Sequence, residues 1–480
     1  MQIHAGSHSL AACLLFSMPT FNSISLFLFF AGLFFSHNPM AQTEAHIAFP
    51  GAEGFGKFTI GGRGGKTIVV SNLNNAGPGS FREAAEQKSK RTIVFSISGT
   101  IHLETPLQIE GNVTIAGQSA PGDGICIADQ PVRLKGDQII VRYMRFRMGD
   151  RYQSQKGMVD GSGGDDALSG SKNKHLIIDH CSLSWSTDEV MSVYGGDSTT
   201  LQWNMIAEPL NYSYHFETGD KDWENHGYGG IWGGAHLSAH HNLFAHCVSR
   251  NPRFNGARLG AKEELVDFQN NVVYNWQNKA IYGGEFGKYN IVNNYFKPGP
   301  STKPSAANNF LDPSKTDVLP YGQYHVVGNM IEGNTAVNMD NMNGVTPIPS
   351  QGVYINNPHS VATLTKQQAY DAYRSVVKQV GASLKRDALD MRIISEMRNG
   401  KGRIIDVQGG FKHGTPYEVS KIAWPELKSE LALVDKDQDG MPDAWELQNG
   451  LDPADSNDAS SVKLHAYFSN VEVYLNSLLK

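Results

Sequence analysis

Cysteine is scarce, four residues in 480. Cys13 lies near the N-terminus, which leaves Cys126, Cys181 and Cys247. Three is an odd number, so at least one thiol stays free and a dense disulfide framework is excluded. Their wide spacing fits no zinc pattern, and buried small apolar residues are the expectation. Long Lys/Arg runs are missing and the formal charge is −6, which argues against general nucleic-acid binding. No Gly-x-Ser-x-Gly elbow is present, and Gly61-Gly-Arg-Gly-Gly65 lacks the Lys-Ser/Thr of a phosphate loop. Few Asn-Gly or Asp-Gly pairs separate neighbouring apolar segments, so short hairpins are not the main connection. After residue 35 no apolar run is long enough to cross a membrane.

What is abundant points elsewhere. Glycine is frequent, at 50 residues, and Asn recurs at the ends of apolar segments; both suit many short strands joined by tight turns. The run at 24–35 is almost wholly apolar, short for a span, and followed by a plausible cleavage after Ala41, so 1–41 reads as an export signal. Further on, an alternating segment ending in His or Asn and followed by apolar residues repeats. It appears as Leu176-Ile-Ile-Asp-His-Cys-Ser-Leu183, Leu201-Gln-Trp-Asn-Met-Ile206 and Leu237-Ser-Ala-His-His-Asn-Leu-Phe244. It returns as Val266-Asp-Phe-Gln-Asn-Asn-Val-Val273, Tyr289-Asn-Ile-Val-Asn-Asn-Tyr-Phe296 and Tyr324-His-Val-Val-Gly-Asn-Met-Ile331. A short strand recurring at uneven intervals of this size predicts an all-β solenoid, a single-stranded parallel β-helix with loops of varying length, over 42–335. Asn at one point of successive coils can form a ladder. From 336 to 430 the pattern becomes partly helical, with helix expected over 363–398, and 431–480 carries an acidic loop and an amphipathic terminal segment at 464–479.

Three clusters carry chemistry. Asp435-Lys-Asp437-Gln-Asp439-Gly440-Met441-Pro-Asp443-Ala-Trp-Glu446 offers oxygens at positions 1, 3, 5, 9 and 12 of an EF-hand-like loop. Gly440 makes the sharp turn and the Met441 carbonyl stands at position 7, so a structural Ca²⁺ is expected, anchored through Val434 and Trp445. Asp165 and Asp166, with Asp188 and Glu189, lie one expected coil apart. Paired carboxylates there could hold Ca²⁺ or act as a general acid/base pair, against the bland reading of turn capping. Arg250, Arg253 and Arg258 cluster around Pro252 in an acidic protein. Arginine suits carboxylate recognition, and the bland reading is ion pairing with Glu263, Glu264 or Asp267. His226, Tyr228 and Trp232 precede the block, among glycines that suggest tight packing.

With these residues in hand, the chain resembles the pectate lyases of polysaccharide lyase family one over most of its length up to about 335. The matching pieces are Ala52-Glu-Gly-Phe-Gly with Gly61-Gly-Arg-Gly-Gly-Lys, Ile97-Ser-Gly-Thr-Ile101, Asp166-Ala-Leu, Ile178-Asp-His180, His240-His-Asn242 and Arg250-x-Pro252. The resemblance implies a right-handed parallel β-helix that cleaves α-1,4-polygalacturonate by β-elimination with Ca²⁺. It assigns Arg250 as the group that takes the C5 proton, and Asp166 and Asp188 as ligands of the catalytic calcium. This chain departs from the family in having Ser184 where a further acid is usual, which leaves Glu189 and Asp165 as candidates to replace it. The family's substrate-binding lysine is absent, and His226 and Tyr228 stand as candidates for that role. Arg253 and Arg258 are both candidates for the second arginine.

The chemistry is consistent with such a substrate. A C5 proton beside a carboxylate is weakly acidic, and a cation on that carboxylate stabilises the developing negative charge. Arginine is ordinarily always protonated, so a base of this type implies an alkaline optimum. The implied protein is an exported monomer acting on pectate, in the periplasm, at the cell surface or secreted. The competing readings are a lyase for methylated pectin, a β-helix glycoside hydrolase using the aspartates and water, and a non-catalytic carbohydrate-binding solenoid.

Overall fold

The corners of the chain explain its architecture. In six successive coils a strand of one sheet is followed, after two residues, by a strand of the next, as in Leu237–His240 and Leu243–Ala245. The first corner residue takes a left-handed backbone: His180, Trp203, His241, Asn270, Asn293 and Gly328, with φ between 51° and 70°. Only one of the six is glycine, so the other five bear a steric cost that neighbouring contacts must outweigh. Stacking supplies part of it. The rings of Tyr143, His180, Trp203 and His241 lie one on another along the axis, with centroids 4.8, 5.7 and 4.2 Å apart.

The second corner residue supplies the rest. At five of the six corners it is Asn, and Asn204, Asn242, Asn271, Asn294 and Asn329 form a buried ladder that ends on the half-buried Asn341 of a following turn, each side-chain amide donating to the next Asn oxygen at 2.9–3.1 Å. The same oxygens also accept a backbone N–H from the coil before. No buried amide oxygen in the column is left unsatisfied, which in a dry interior would cost about 1–3 kcal/mol.

The structure, a computed structural model, describes residues 46–158, 164–259, 264–347 and 353–479. The expected export signal at 1–41, together with Cys13, lies outside the described residues, as does Glu263. Within them every strand pairing of the solenoid is parallel and falls into three sheets. The chain visits the first, second and third sheet in turn. One circuit runs Leu237–His240, Leu243–Ala245, Arg253–Phe254. Inward side chains, among them Leu176, Ile178, Leu201, Phe244, Phe268 and Ile291, fill one continuous core. Cys126, Cys181 and Cys247 are free and buried, as expected.

The passage from the second sheet to the third carries the variable loops, including the long excursion from Glu208 to Gly230 between Met205–Ala207 and Ile231–Gly234. Glycine is demanded where that loop rejoins the sheet. A Cβ on Gly230 would lie 1.9 Å from the Met191 carbonyl oxygen. The glycine run at 61–65 is likewise structural, since a Cβ on Gly62 would sit 1.8 Å from the Arg91 carbonyl oxygen.

The outer face of the second sheet is apolar, and the C-terminal extension covers it. Met205, Ala207, Leu243, Ala245 and Val272 pack with Ala369, Val376, Leu389, Ile393 and Met397. Truncating Met397 to Ala there removes packing of about 2–5 kcal/mol. The expected helix over 363–398 is in fact two, Ala369–Gln379 and Ala388–Asn399. The break falls at Gly381, whose backbone is left-handed, whose N–H donates to the Trp203 carbonyl, and where an added Cβ would lie 2.6 Å from the Ser182 hydroxyl. Asp387 then caps the second helix and, with Asp390, pairs with the buried Arg147 at 2.6 and 2.9 Å. The terminal helix is also shorter than expected, Asn470–Ser477, because Ser469 and Glu472 form a capping box that starts it late.

Candidate active site

The site is built at one place on successive coils, where the chain enters the third sheet. Asp166 precedes Leu168–Ser171, Asp188 and Glu189 precede Met191–Gln202, Tyr228 precedes Ile231–Gly234, and Arg250 precedes Arg253–Phe254. Parallel bridges run from Glu189 to Tyr228 and from Tyr228 to Ser249. Residues far apart in sequence therefore stack along the axis, and a cleft of ≈ 350 Å³ opens over them.

Asp166, Asp188 and Glu189 each bring a carboxylate oxygen within 4.8 Å of the others. Burial, and then the charge of Asp188, push the Asp166 carboxyl well above its usual range. Burial acts on Asp188 in the same direction, but a hydrogen bond from His226 and its charge outweigh it, aided by His215 and Arg250, and hold Asp188 below the ordinary value. Three converging oxygens suit a hard cation such as Ca²⁺. Asp165, the fourth candidate, also lines the cleft but is not one of the three converging donors. Its carboxylate meets Gln153 at 2.9 Å and Arg133 at 3.4 Å. Ser184 lies buried in Ser182–Ser184 of the second sheet, and the acid whose oxygen converges with those of the Asp pair is Glu189.

Arg250 sits at the cleft with a left-handed backbone, φ 57°. Its guanidinium pairs with Glu189, lies 4.4 Å over the Tyr228 ring, and donates from Nε to the Tyr282 hydroxyl at 3.3 Å. Of the acids expected from the bland reading, Glu264 and Asp267 lie among the described residues, and neither pairs with the arginines. Glu264 is buried, accepting from the Gly256 N–H and the Tyr289 hydroxyl, and Asp267 accepts from Gln269. Arg253 instead pairs with Glu285 at 2.7 Å. Arg258 is exposed, close enough to Arg253, Glu285 and Arg250 to feel their charge.

His226 is committed to Asp188 at 2.8 Å, and Tyr228 lies beneath Arg250. Both expected substrate-binding residues thus touch the reactive cluster directly, while Trp232 is fully buried in the core. The sequence reading passed over His215. It stacks on His226 with centroids 3.7 Å apart and meets Glu224 at 2.6 Å. A His on each side of an aromatic-rich loop, eleven positions apart, was the available signal. Glu285 and Tyr282 carried none, since they reach the arginines from the following coil.

No family model matches the chain. A curated relative, "Probable pectate lyase C" of Aspergillus fumigatus, is 34% identical over 458 residues, covering 91% of this chain and 94% of the relative. A protein of the same description from Emericella nidulans is 32% identical over 458 residues, with the same coverage. "Probable pectate lyase 5" of Arabidopsis thaliana is 32% identical over a shorter stretch, 32% of this chain and 41% of that one. Among solved structures, "Pectate lyase bound to hexasaccharide" superposes with a TM-score of 0.50 at 14% identity, covering 72% of this chain and all of the other. That likeness speaks to the fold.

Proposed function

Because the chain belongs to the pectate lyases, we propose that it is a member of polysaccharide lyase family one, exported to act on polygalacturonate. It cleaves the α-1,4 linkage by β-elimination and leaves a 4,5-unsaturated end. One observation supports this most directly: the carboxylate trio Asp166, Asp188, Glu189 and the guanidinium of Arg250 meet in one cleft.

Asp166, Asp188 and Glu189 are the residues that would hold a catalytic calcium, which supplies positive charge against the uronate carboxylate as the C5 carbanion develops. Arg250 is the group that takes the C5 proton. Tyr228 and Tyr282 fix its guanidinium by ring contact and hydrogen bond, so little reorganisation remains at the moment of transfer. Glu189 is shared between two roles, as the partner of Arg250 and as one of the three oxygen donors. His226, ordered by His215 and Glu224, orients Asp188. Arg253, held by Glu285, and the exposed Arg258 are the groups available to the polymer's other carboxylates.

A glycoside hydrolase is the weaker reading. Its inverting form needs carboxyl groups roughly 6.5–9.5 Å apart to admit a water, whereas these oxygens lie within 4.8 Å; the retaining form, at roughly 5–5.5 Å, is separated from elimination by the assay below. The test is incubation of the whole protein with polygalacturonate, with and without chelator, following ultraviolet absorbance and reducing ends together. Elimination gives calcium-dependent absorbance in step with new ends. New ends without absorbance would mean hydrolysis, and neither would mean a binding protein. Running the assay with methyl-esterified pectin beside polygalacturonate distinguishes a pectin lyase.

A further inference from the structure

The acidic loop near the C-terminus lies away from the cleft, and its inference stands independently of the catalytic reading. Asp435, Asp437 and Asp439 bring carboxylate oxygens within 4.8 Å of one another, and so do Asp439, Glu446 and Asp458. The two groups share Asp439. Both oxygens of Asp437, both of Glu446, Oδ2 of Asp439 and Oδ1 of Asp458 are buried with no hydrogen-bond partner. Glu446 is 0% exposed and Asp439 1%. Among the described residues no Lys or Arg pairs with any of these five carboxylates. Buried oxygens of one sign with neither donor nor counter-charge destabilise the fold by several kcal/mol unless a cation joins them.

The loop's ninth position behaves otherwise. Asp443 begins the helix Asp443–Gln448, and its carboxylate is fully engaged by Lys436, through the backbone N–H at 2.9 Å and the ammonium at 2.7 Å. The remaining loop geometry is formed. Gly440 turns with φ 89°, and Asp435 accepts from the N–H groups of Asp439 and Gly440 at 3.2 and 2.9 Å.

We propose that Asp435, Asp437, Asp439, Glu446 and Asp458 bind one hard divalent cation of the calcium class, with Asp458 as the ligand that closes the site and Asp443 excluded from it. The all-oxygen donor set selects Ca²⁺ over softer metals. The ion ties three segments together: the loop, the helix after it, and the turn Asp458–Ser460. Those segments cover the first coils of the solenoid. Met441, Leu451, Ala459, Val471 and Leu475 pack on Val94 and Ala116, and a Cβ on Gly440 would reach Val94 and Thr67 at under 3 Å. The cation is therefore a clasp that seats the C-terminal segment on the starting end of the β-helix.

The test uses the whole protein carrying Asp188→Asn, so that the cleft contributes no strong calcium site. Melting is followed after chelation and again with calcium or with magnesium added, and terbium luminescence sensitised through Trp445 reports occupancy. Asp458→Asn removes a repelled charge without changing shape. It should melt at or above its parent in chelator, below it in calcium, and bind calcium at least about tenfold more weakly. Asp443→Asn should keep affinity within about threefold. Lower melting of Asp458→Asn under both conditions would reduce Asp458 to a packing role and overturn the proposal. So would equal calcium shifts in Asp458→Asn and its parent, a larger loss of affinity in Asp443→Asn, or no calcium-dependent shift at all.

Discussion

Two groups of converging carboxylates in this protein, three in the cleft and five in the C-terminal loop, differ in the company they keep. In the cleft, Asp188 has the His226 ring at 2.8 Å and Glu189 has the Arg250 guanidinium, so groups of the protein itself accompany these acids. In the C-terminal loop the buried oxygens of Asp437, Asp439, Glu446 and Asp458 have no such partner among the described residues, and the loop's Lys436 is taken by Asp443. In the cleft Arg250 offsets part of the acids' charge, and a cation that enters competes with protein groups for the same oxygens. The loop has no internal substitute. A reaction centre benefits from the first arrangement and a structural clasp from the second.

The sharpest way to break this contrast is Arg250→Ala. Loss of a general base costs roughly 10²–10⁴-fold in rate, so ultraviolet product formation should fall by about that factor while the calcium-dependent melting shift of the C-terminal loop stays with the wild type. Near-normal turnover would remove Arg250 from the reaction and leave the cleft as another ion-paired surface. The converse experiment is calcium removal from protein whose cleft is disabled by Asp188→Asn. At a calcium concentration 100-fold above Kd, one site binding only the folded state adds about 2.7 kcal/mol, lost on chelation and visible as a lower melting temperature. A third, smaller effect belongs to Glu189→Gln. As one of three donors its loss should raise the calcium needed for half-maximal rate by about tenfold, on the order of 1.4 kcal/mol, without altering the calcium-dependent melting. A change in melting would mean that the two clusters are not separate.

A third kind of buried carboxylate calibrates both. Glu264 is buried with neutral donors, Gly256 N–H and the Tyr289 hydroxyl, and burial pushes its carboxyl up to about 7. Its folded value lies above the ordinary 4.5, so the folded state binds the proton more tightly than the unfolded chain. The fold carries no penalty from this group below about pH 4.5, loses stability as pH rises from there to about 7, and loses no more beyond. Glu264→Gln should flatten that decline, worth roughly 3 kcal/mol at most, in pH-dependent chemical denaturation. An unchanged profile would show that burial with neutral donors costs little here and weaken the argument that the loop acids demand a cation.

The solenoid was legible because its signals are local and repeated. Asn242, Asn271, Asn294 and Asn329 mark one corner of each coil, and the ladder they form extends to Asn204 and Asn341. The glycines before Ile231 and the apolar alternation were equally plain. The helix at 363–398 was less so, because its break falls at Gly381, where the backbone meets Ser182 and Trp203, nearly 200 residues away.

By itself, then, the sequence determined the repeating coil, the arginine that precedes Pro252, and the spacing of the acidic loop. Each follows from residues that meet within one coil or one turn. Tertiary structure alone decided which charges face one another. Glu189 meets Arg250, Asp188 meets His226, Arg253 meets Glu285, and Asp458 joins Glu446 while Asp443 turns to Lys436. All but the last join residues from different coils or segments. Their pairing depends on how many residues each loop spends between strands, a length that periodicity does not constrain.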